Sequence, residues 1–188
     1  MGVVFTSRPI AVTDVETTGL EPDIHEIIEI GLILVDQSSL TILDVLDVKV
    51  RPEHIETASE DALALNGYSE KEWRSAVSLR QAMSMYAEKT TNSIFCSQNV
   101  TFDWSFLQHA FRLTDVRNSM DYHRLDLFTA SWVLLRGAGL DRFNLDVVAE
   151  HLGVGREPYP HRAIGGARIA YEVLRRSLMC GCKLEKFQ

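Results

Sequence analysis

Two acidic residues separated by one position, Asp14 and Glu16, follow an apolar stretch near the N-terminus and precede a polar turn that contains Gly19. Because side chains alternate between the two faces of a β-strand, a strand at this point would place both carboxylates on one face, close together. Two ionised carboxylates at short range repel each other, and a divalent cation such as Mg²⁺ or Mn²⁺ relieves that repulsion. The spacing therefore indicates a metal site, although taken alone it also fits solvated acids in a turn.

Two further residues stand where an α/β fold builds its sites. Asp103 opens a helical pattern just after a short apolar run, where the helix dipole favours a carboxylate. A helix-start acid with no further role fits the same placement. His161 follows Pro160 in a loop that leads into an apolar helix, and its alternative is a surface or capping residue. Because sites in α/β sheets form where strands end and helices begin, we expect Asp103 to lie near Asp14 and Glu16.

The first part of the chain shows strand patterns, and the rest alternates between strands and helices; these elements must position the residues above. The first three apolar runs are joined by short polar links, which favours an antiparallel meander. Apolar runs predict strands over residues 3–12, 26–35, 40–50, 93–96 and 122–127. Helical spacing predicts helices over residues 57–64, 78–89, 102–113, 126–135, 144–152 and 163–178. We therefore predict an α/β fold with a mixed sheet and helices packed on it.

Length and net charge bound the function further. The 188 residues suffice for one sizeable core, and we predict a single domain over residues 1–188 with a flexible tail from about residue 179. The formal net charge of −7 argues against a protein that grips long duplexes through its own basic surface. It is compatible with an enzyme that handles a few nucleotides while metal ions supply the positive charge.

Neither a membrane span nor a disulfide framework is indicated. No apolar run approaches the length that crosses a bilayer, so we expect no membrane partner. The three cysteines are an odd number, and Cys180 and Cys182 are too close for an ordinary bridge. Their spacing does not make a zinc half-site either. This cysteine usage favours a reducing, cytoplasmic setting.

Three segments, in chain order, carry a resemblance to a known family: residues 14–19 (DVETTG), 99–107 (NVTFDWSFL) and 161–164 (HRAI). With them the chain resembles the DnaQ-like (DEDDh) 3′–5′ exonucleases, the family of polymerase proofreading subunits with their epsilon-type exonuclease domain. The match covers nearly the whole chain, and the first motif is similar residue for residue. Before the second motif, Gln98 stands where histidine is usual. The resemblance implies a ribonuclease H-like fold, with a central mixed five-stranded sheet flanked by helices.

The resemblance also implies a reaction and the residues that perform it. The expected reaction is hydrolysis of the terminal phosphodiester bond, which releases nucleoside monophosphates from a 3′ end. Asp14, Glu16 and Asp103 would hold two divalent metal ions, Mg²⁺ or Mn²⁺, that clamp the attacking and leaving oxygens. His161 would take a proton from the attacking water, because its unperturbed pKa of about 6.5 suits a base at neutral pH.

Substrate and partners follow from the same resemblance. The expected substrate is the 3′ end of a single-stranded nucleic acid, DNA rather than RNA, and the expected protein partner is a DNA polymerase subunit. The residues expected to contact the substrate are Thr17, Thr18, Gly19, Leu20, Asn99 and Phe102. The turn backbone would approach the terminal nucleotide closely because glycine leaves room. Leu20 and Phe102 would pack on the terminal bases and Asn99 would orient the strand, while Phe102 fits a core position equally well.

One position departs from the family pattern. The third motif of the family has an aspartate five residues after its histidine, and here that position is Gly166. Glu172 lies on another side of the same helix, and Glu157 lies in the loop before His161, so neither is expected to replace the aspartate. Three explanations stay open: a deliberate change that slows turnover, a natural protein with impaired or no activity, and a water or substrate oxygen that completes the metal shell. We expect exonuclease activity to be absent or much reduced.

Two other function classes compete with an active exonuclease. The first is a catalytically silent DnaQ-like module that docks on a polymerase or another protein, or that caps a 3′ end, and Gly166 supports it. The second is a small-molecule or oligoribonucleotide hydrolase of the same fold. Metal titration distinguishes the silent module from the enzyme, and chain-length preference identifies the hydrolase.

Overall fold

Residues 4–181 are described by the computed structural model of this chain, and they form a sheet with helices on both faces. The strands are β1 (Ile10–Thr17), β2 (Ile27–Val35), β3 (Ile42–Lys49), β4 (Ile94–Ser97) and β5 (Arg124–Asp126). The helices are α1 (Glu60–Leu65), α2 (Leu79–Lys89), α3 (Val100–Thr114), α4 (Leu127–Leu135), α5 (Leu145–His151) and α6 (Ala163–Gly181).

The five strands form a mixed sheet in the order β3-β2-β1-β4-β5. Strands β1, β2 and β3 pair antiparallel, while β4 pairs parallel with β1, and β5 parallel with β4. Every residue of β2 is buried, which its nearly continuous apolar sequence requires. The predicted α/β class, with a mixed five-stranded sheet flanked by helices, is thereby confirmed.

Different helices cover the two faces of the sheet. Ala11 and Val15 of β1 pack in a core cluster with side chains of α2 and α3. Ile10 and Val12, which point to the opposite face, pack in a second cluster with α6, where Ala167 allows close approach. The alternation along β1 therefore decides which helix each side chain meets.

A glycine in β2 sets how closely α6 begins on the sheet. A Cβ atom on Gly31 would lie within 3.0 Å of the carbonyl group of Ala163, the first residue of α6. No side chain fits there, so the helix backbone rests directly on the strand. The loop that carries His161 is therefore held at the level of β1.

Two N-terminal boundaries differ from the sequence predictions. β1 begins at Ile10 rather than at residue 3, because a turn in which the Ser7 backbone and hydroxyl bond the Val4 carbonyl occupies residues 5–7. β1 also continues to Thr17, beyond the predicted end at residue 12, because its pairing with β2 extends through the acid pair. Residue 3 itself lies outside the described residues. α1 begins at Glu60 rather than at residue 57, because the Thr57 hydroxyl bonds a carbonyl of the preceding turn and does not cap a helix.

The C-terminal boundary differs as well. α6 continues to Gly181, beyond the predicted end at residue 178 and into the predicted tail. The rest of that tail, residues 182–188 with Cys182, lies outside the described residues, as does the side chain of Cys180. Cys96 is buried in β4 as a free thiol. Within residues 4–181, no helix has the length and apolar character needed to cross a membrane.

Candidate active site

β1 carries the predicted acid pair on the sheet face that α6 covers. Asp14 and Glu16 lie opposite Gly31 and Glu29 of β2, and directly opposite residues of an antiparallel pair share a face. Glu29 thus adds a carboxylate that sequence analysis did not select. It is 1% exposed, and its Oε2 accepts a hydrogen bond from the Ala163 backbone N–H at 3.1 Å. The two acids of β1 therefore face the start of α6 together with a third.

Asp103 reaches this pair from the first turn of α3. It is 3% exposed, and its Oδ1 accepts a hydrogen bond from the Val15 backbone N–H at 3.2 Å. Pairing between β1 and β4 ends at Val12, so the β1 backbone beyond that point is open to a side chain from the helix that follows β4. The charge of Asp103 acts on both Asp14 and Glu16. The three acids predicted from the sequence are therefore neighbours.

The loop between α5 and α6 supplies a histidine and a further acid. Glu16, Glu157 and His161 each offer one ligand atom, and these atoms all lie within 4.8 Å of one another. Glu157 Oε2 is 3.6 Å from His161 Nδ1, and Glu157 Oε1 accepts a hydrogen bond from the Arg162 backbone N–H at 2.9 Å. Sequence reasoning set Glu157 aside because of its loop position, and the structure corrects this, because the loop turns back over the acid pair.

Two adjacent glycines make room for two of the carboxylates. A Cβ atom on Gly166 would lie within 3.0 Å of Asp14 Oδ2, and a Cβ atom on Gly165 would lie 2.8 Å from Glu157 Oε1. Both carboxylates thus lie against the backbone of the first turn of α6, in space that side chains would otherwise fill. The absence of a side chain at position 166 is therefore part of how the site is packed.

Burial and mutual repulsion raise the pKa values of the site carboxylates. Burial, followed by the charges of Asp103 and Glu16, raises the pKa of Asp14 well above its ordinary value. Burial and the charges of Glu157 and Glu29 raise the pKa of Glu16 to about 8. Burial also raises the pKa of Asp103 to about 7, although hydrogen bonds to its carboxylate oppose the shift. Carboxylates in this situation exchange their protons readily for a cation.

We call these five residues the acid cluster: Asp14, Glu16, Glu29, Asp103 and Glu157. Arg162 contacts the cluster through Glu29, with its Nη1 3.5 Å from Glu29 Oε1, and it also donates to the Asn66 carbonyl oxygen. Glu29 Oε1 is buried without a hydrogen-bond partner among the described residues. One guanidinium does not balance five carboxylates, and hard anionic oxygens at this density suit divalent cations. The acid cluster is therefore compatible with divalent metal ions.

α1 ends against the loop that carries His161. The last carbonyl groups of a helix have no intrahelical partner, and here the loop supplies the donors. Three consecutive carbonyl oxygens accept these hydrogen bonds: Ala64 from the Tyr159 hydroxyl at 2.6 Å, Leu65 from the His161 N–H at 3.1 Å, and Asn66 from the Arg162 guanidinium. Helix and loop are thereby joined.

The turn after β1 is held by its own side chains. Thr17 Oγ1 donates to the Gly19 carbonyl oxygen at 2.6 Å, and Thr18 Oγ1 accepts from the Glu26 N–H at 2.9 Å. Thr18 is fully buried, so its side chain shapes the turn. A Cβ atom on Gly19 would lie within 3.0 Å of the His25 ring. His25, which sequence analysis did not select, thus takes the room that the glycine leaves.

A cavity of about 520 Å³ opens beside Glu16 and the turn. Leu20, which is 79% exposed, and the half-buried Phe102 line it, together with Leu65 at the end of α1. Asn99 is exposed at the start of α3 and is not among the residues that line the cavity. Apolar walls next to a group of carboxylates suit a ligand that has both a flat apolar part and a charged part.

The exonuclease family model RNase_T matches residues 11–174, which include every residue of the acid cluster. The chain belongs to this exonuclease family. Its structural neighbours, given below, include a DEDDh family member with the same fold.

Two relatives are the DNA polymerase III PolC-type proteins of Thermotoga petrophila and Thermotoga maritima. Each is 28% identical to this chain over 175 residues, which make up 92% of this chain and 12% of the relative. The chain thus spans only a small part of the length of these much longer proteins.

Solved structures show the shared fold. The nuclease domain of 3′hExo, a DEDDh family member bound to rAMP, has a TM-score of 0.75 and 21% identity over 95% of this chain and 96% of its own. E. coli Exonuclease I in complex with a dA16 oligonucleotide has a TM-score of 0.77 and 16% identity, over 92% of this chain and 41% of its own.

Sequence patterns miss three residues of the candidate site for different reasons. Glu29 did leave a signal, because a lone acid inside the apolar run of β2 must be buried and needs partners. The positions of Glu157 and His25 depend on how two loops fold back, and neither residue lies in a periodic pattern that would reveal it. Pattern reasoning finds residues on strands and helix starts more easily than residues on loops.

Proposed function

We propose that this chain is a metal-dependent 3′–5′ exonuclease that acts on single-stranded nucleic acid, with DNA preferred over RNA. The observation that carries the proposal is the convergence of Asp14, Glu16, Asp103 and His161 beside an apolar cavity. The PolC-type relatives are DNA polymerases by name, which supports DNA, whereas the structural neighbours include complexes with rAMP and with dA16. The reaction would release nucleoside monophosphates from the 3′ end.

Two divalent cations, Mg²⁺ or Mn²⁺, belong to the proposed site. Asp14, Glu16 and Asp103 would hold them, and the raised pKa values of these acids support a cluster whose charge cations balance. When bound, the two cations supply positive charge to the attacking and leaving oxygens of an in-line displacement. The contribution of the chain is to fix these carboxylates on β1 and in the first turn of α3 before the substrate arrives.

His161 is the proposed general base. Its Nδ1 faces Glu157 Oε2 at 3.6 Å, which leaves Nε2 to accept a proton from the attacking water. The side chain is 34% exposed, so water reaches the ring. The bond from the His161 backbone N–H to the Leu65 carbonyl oxygen, at 3.1 Å, holds the ring near Glu16.

The cavity beside Glu16 is the proposed site of the terminal nucleotide. Leu20 and Phe102 line this cavity, where they would pack on the terminal bases. The backbone of the turn from Thr17 to Gly19 would approach the sugar and phosphate, and Thr18 would contribute by holding that turn. Asn99 would orient the strand from outside the cavity, at the exposed start of α3.

We also propose that Gly166 lowers turnover relative to an aspartate at this position, because a metal site loses affinity when it loses a hard anionic ligand. A Cβ atom at position 166 would lie within 3.0 Å of Asp14 Oδ2, so the Asp14 carboxylate must rotate to admit the new side chain. We expect Gly166→Asp to raise the rate of 3′ degradation by roughly tenfold.

Degradation of matched single-stranded DNA and RNA, each labelled at the 5′ end, tests the proposal. In Mg²⁺ or Mn²⁺ we expect stepwise shortening from the 3′ end, faster on DNA, by the wild-type chain and faster still by Gly166→Asp. Asp103→Asn should show none, because it removes a proposed metal ligand. If neither the wild type nor Gly166→Asp shortens either substrate, the chain is not an exonuclease.

A catalytically silent module that binds a 3′ end or a polymerase is the second candidate, and Gly166 is the observation that favours it. Binding of a 3′-terminal oligonucleotide without two-site metal binding, in both the wild type and Gly166→Asp, would support it. For either candidate we propose a DNA polymerase partner, because the PolC-type relatives carry the matching segment within a polymerase chain. Co-elution with the purified replicative polymerase of the source organism tests this. The single domain and the cytoplasmic setting stay predictions.

A further inference from the structure

Glu157 holds a carboxylate next to the position where Gly166 lacks one. Its Oε1 lies 2.8 Å from where a Cβ atom of Gly165 would be, and Gly165 directly precedes Gly166. The Glu157 side chain is 8% exposed, and a ligand atom of this residue lies within 4.8 Å of ligand atoms of Glu16 and His161. The carboxylate is therefore buried inside the acid cluster and does not extend from the loop into solvent.

The two oxygens of Glu157 have different surroundings. Oε1 accepts the Arg162 backbone N–H at 2.9 Å, a contact that fixes the loop at the start of α6. Oε2 lies 3.6 Å from His161 Nδ1, which is longer than a hydrogen bond. One oxygen thus serves the fold, and the other lies near His161 with no hydrogen-bond donor among residues 4–181.

We propose that Glu157 is the fourth metal-binding carboxylate of this chain, supplied by the loop before α6 instead of by α6 itself. The proposal rests on the proposed metal-dependent function. A glutamate in the preceding loop reaches the site because Gly165 and Gly166 leave the surface of the first helical turn bare. Two oxygens that are each about 2.1 Å from one Mg²⁺ ion lie up to about 4.2 Å apart, and the ligand atoms here, at most 4.8 Å apart, need only a small shift to share an ion.

Glu172, the acid within α6, is not placed to act as this fourth carboxylate. Glu172 lies two turns further along the helix, and its Oε2 is 2.8 Å from Arg175 and 3.9 Å from Arg176, so its charge is already balanced. Gly166 thus lacks the carboxylate of the family pattern, and the space beside it holds the Asp14 carboxylate. The space beside Gly165 holds the Glu157 carboxylate, which we propose as the replacement.

Calorimetric titration with Mn²⁺, without nucleic acid, tests the proposal independently of activity. The proteins are the wild type, Glu157→Gln, Gly166→Asp, the double variant Glu157→Gln/Gly166→Asp and the control Glu88→Gln. Glutamine keeps an oxygen that accepts the Arg162 N–H, so the metal-free Tm should stay unchanged while the charge is lost. Glu88 is an exposed acid of α2, on the other side of the sheet, so its variant reports general charge effects.

We expect two Mn²⁺ ions on the wild type and on Glu88→Gln, and a loss of roughly tenfold or more in affinity at one site in Glu157→Gln. The double variant should regain that affinity, because the aspartate restores the charge from within α6. If Glu157→Gln also lowers the metal-free Tm, the Mn²⁺ affinity of the double variant separates a metal-binding role from a structural one. An aspartate at position 166 can restore the lost charge but not a lost structural contact of Glu157.

Two results would overturn the proposal, and only one of them would also overturn the metal-dependent function. Equal binding of two Mn²⁺ ions by the wild type and Glu157→Gln overturns the role of Glu157 alone and leaves the metal-dependent exonuclease intact. No Mn²⁺ binding by any of the five proteins overturns the metal-dependent function together with the role of Glu157.

Discussion

Single residues of the acid cluster lower the stability of the fold as long as no metal ion is bound among them. Burial and neighbouring charges raise the pKa of Glu16 to about 8, and burial raises that of Asp103 to about 7. An acid with a raised pKa in the folded state binds its proton more tightly there than in the unfolded chain. Its effect on the free energy of unfolding therefore becomes unfavourable as pH rises from the ordinary carboxyl pKa of about 4 to the raised value.

This predicts a pH-dependent stabilisation by metal. Saturating Mg²⁺ should raise the Tm by at least about 3 °C more at about pH 8.5 than at about pH 5.5, because the cation replaces protons only where the acids ionise. Differential scanning fluorimetry at the two pH values measures it. Asp14→Asn/Glu16→Gln should lose both the metal effect and its pH dependence. A metal-induced rise that is the same at both pH values would contradict the assignment.

Substitution of Leu20 tests whether the cavity binds the terminal base. The side chain is 79% exposed and lines the cavity, so Leu20→Ala should leave the Tm unchanged. Loss of its contact with a terminal base, about 1 kcal/mol, should raise KM for single-stranded DNA by roughly fivefold. Leu113→Ala is the matched control, because Leu113 is 66% exposed on α3 and does not line this cavity. An equal effect of both substitutions on KM would remove the role of Leu20.

Among the elements, those with a long apolar pattern could be predicted from the sequence. β2, α2 and α4 begin and end within a residue or two of their predicted limits, because a buried run or a helical stripe extends over their whole length. The pattern misplaces β1 at both ends and α1 at its N-terminal end. At the two N-terminal ends, the hydroxyl groups of Ser7 and Thr57 donate to nearby backbone carbonyl groups and form turns. These local hydrogen bonds compete with strand and helix formation, and a hydrophobic pattern averaged over many residues gives little sign of them.

The contact between β2 and α6 predicts a sharp effect of one methyl group. Gly31→Ala would bring its Cβ atom within 3.0 Å of the Ala163 carbonyl group, so the start of α6 must shift. We expect a loss of about 1–3 kcal/mol in the free energy of unfolding, and lower kcat because the His161 loop moves with the helix. Urea denaturation and steady-state kinetics measure the two effects.

Gly137→Ala is the control for that substitution. A Cβ atom at Gly137 would have nothing within 4 Å, and its backbone is not in the left-handed region. This variant should keep wild-type stability or gain slightly, because alanine lowers the entropy of the unfolded chain. Wild-type stability and kcat in Gly31→Ala would show that α6 does not depend on the close contact.

For the molecule as a whole, a net charge of −7 makes metal ions the main source of attraction for a nucleic acid. We expect a single-stranded oligonucleotide with non-hydrolysable linkages to bind in Mg²⁺ and to dissociate in EDTA. The dependence of log Kd on log salt should have a slope of no more than about 2, since no lysine or arginine lines the cavity. Fluorescence anisotropy measures both. Tight binding in EDTA with a steep salt dependence would indicate a basic binding surface instead.

The candidate site could be predicted in part. Asp14 and Glu16 follow from strand alternation, and Asp103 from its place at a helix start after a strand, so both local rules and the family motifs select them. Glu157 reaches the cluster only because its loop folds back over two glycines, which no local rule foresees. Asp14, Glu16 and Asp103 could therefore be found from the sequence, whereas the position of Glu157 next to Gly166 required the three-dimensional structure.

The three hydrogen bonds between the end of α1 and the loop at residues 159–162 have a kinetic consequence. Leu65 belongs to the wall against which a nucleotide would rest, and its carbonyl oxygen holds the backbone of His161. With His161 as the proposed base, a nucleotide that fits the cavity would hold the ring in place, and one that fits badly would displace the same backbone. Discrimination between 3′ ends would then affect the rate of cleavage more than the affinity, because nucleotide recognition and proton transfer both depend on the hydrogen bond between Leu65 and His161.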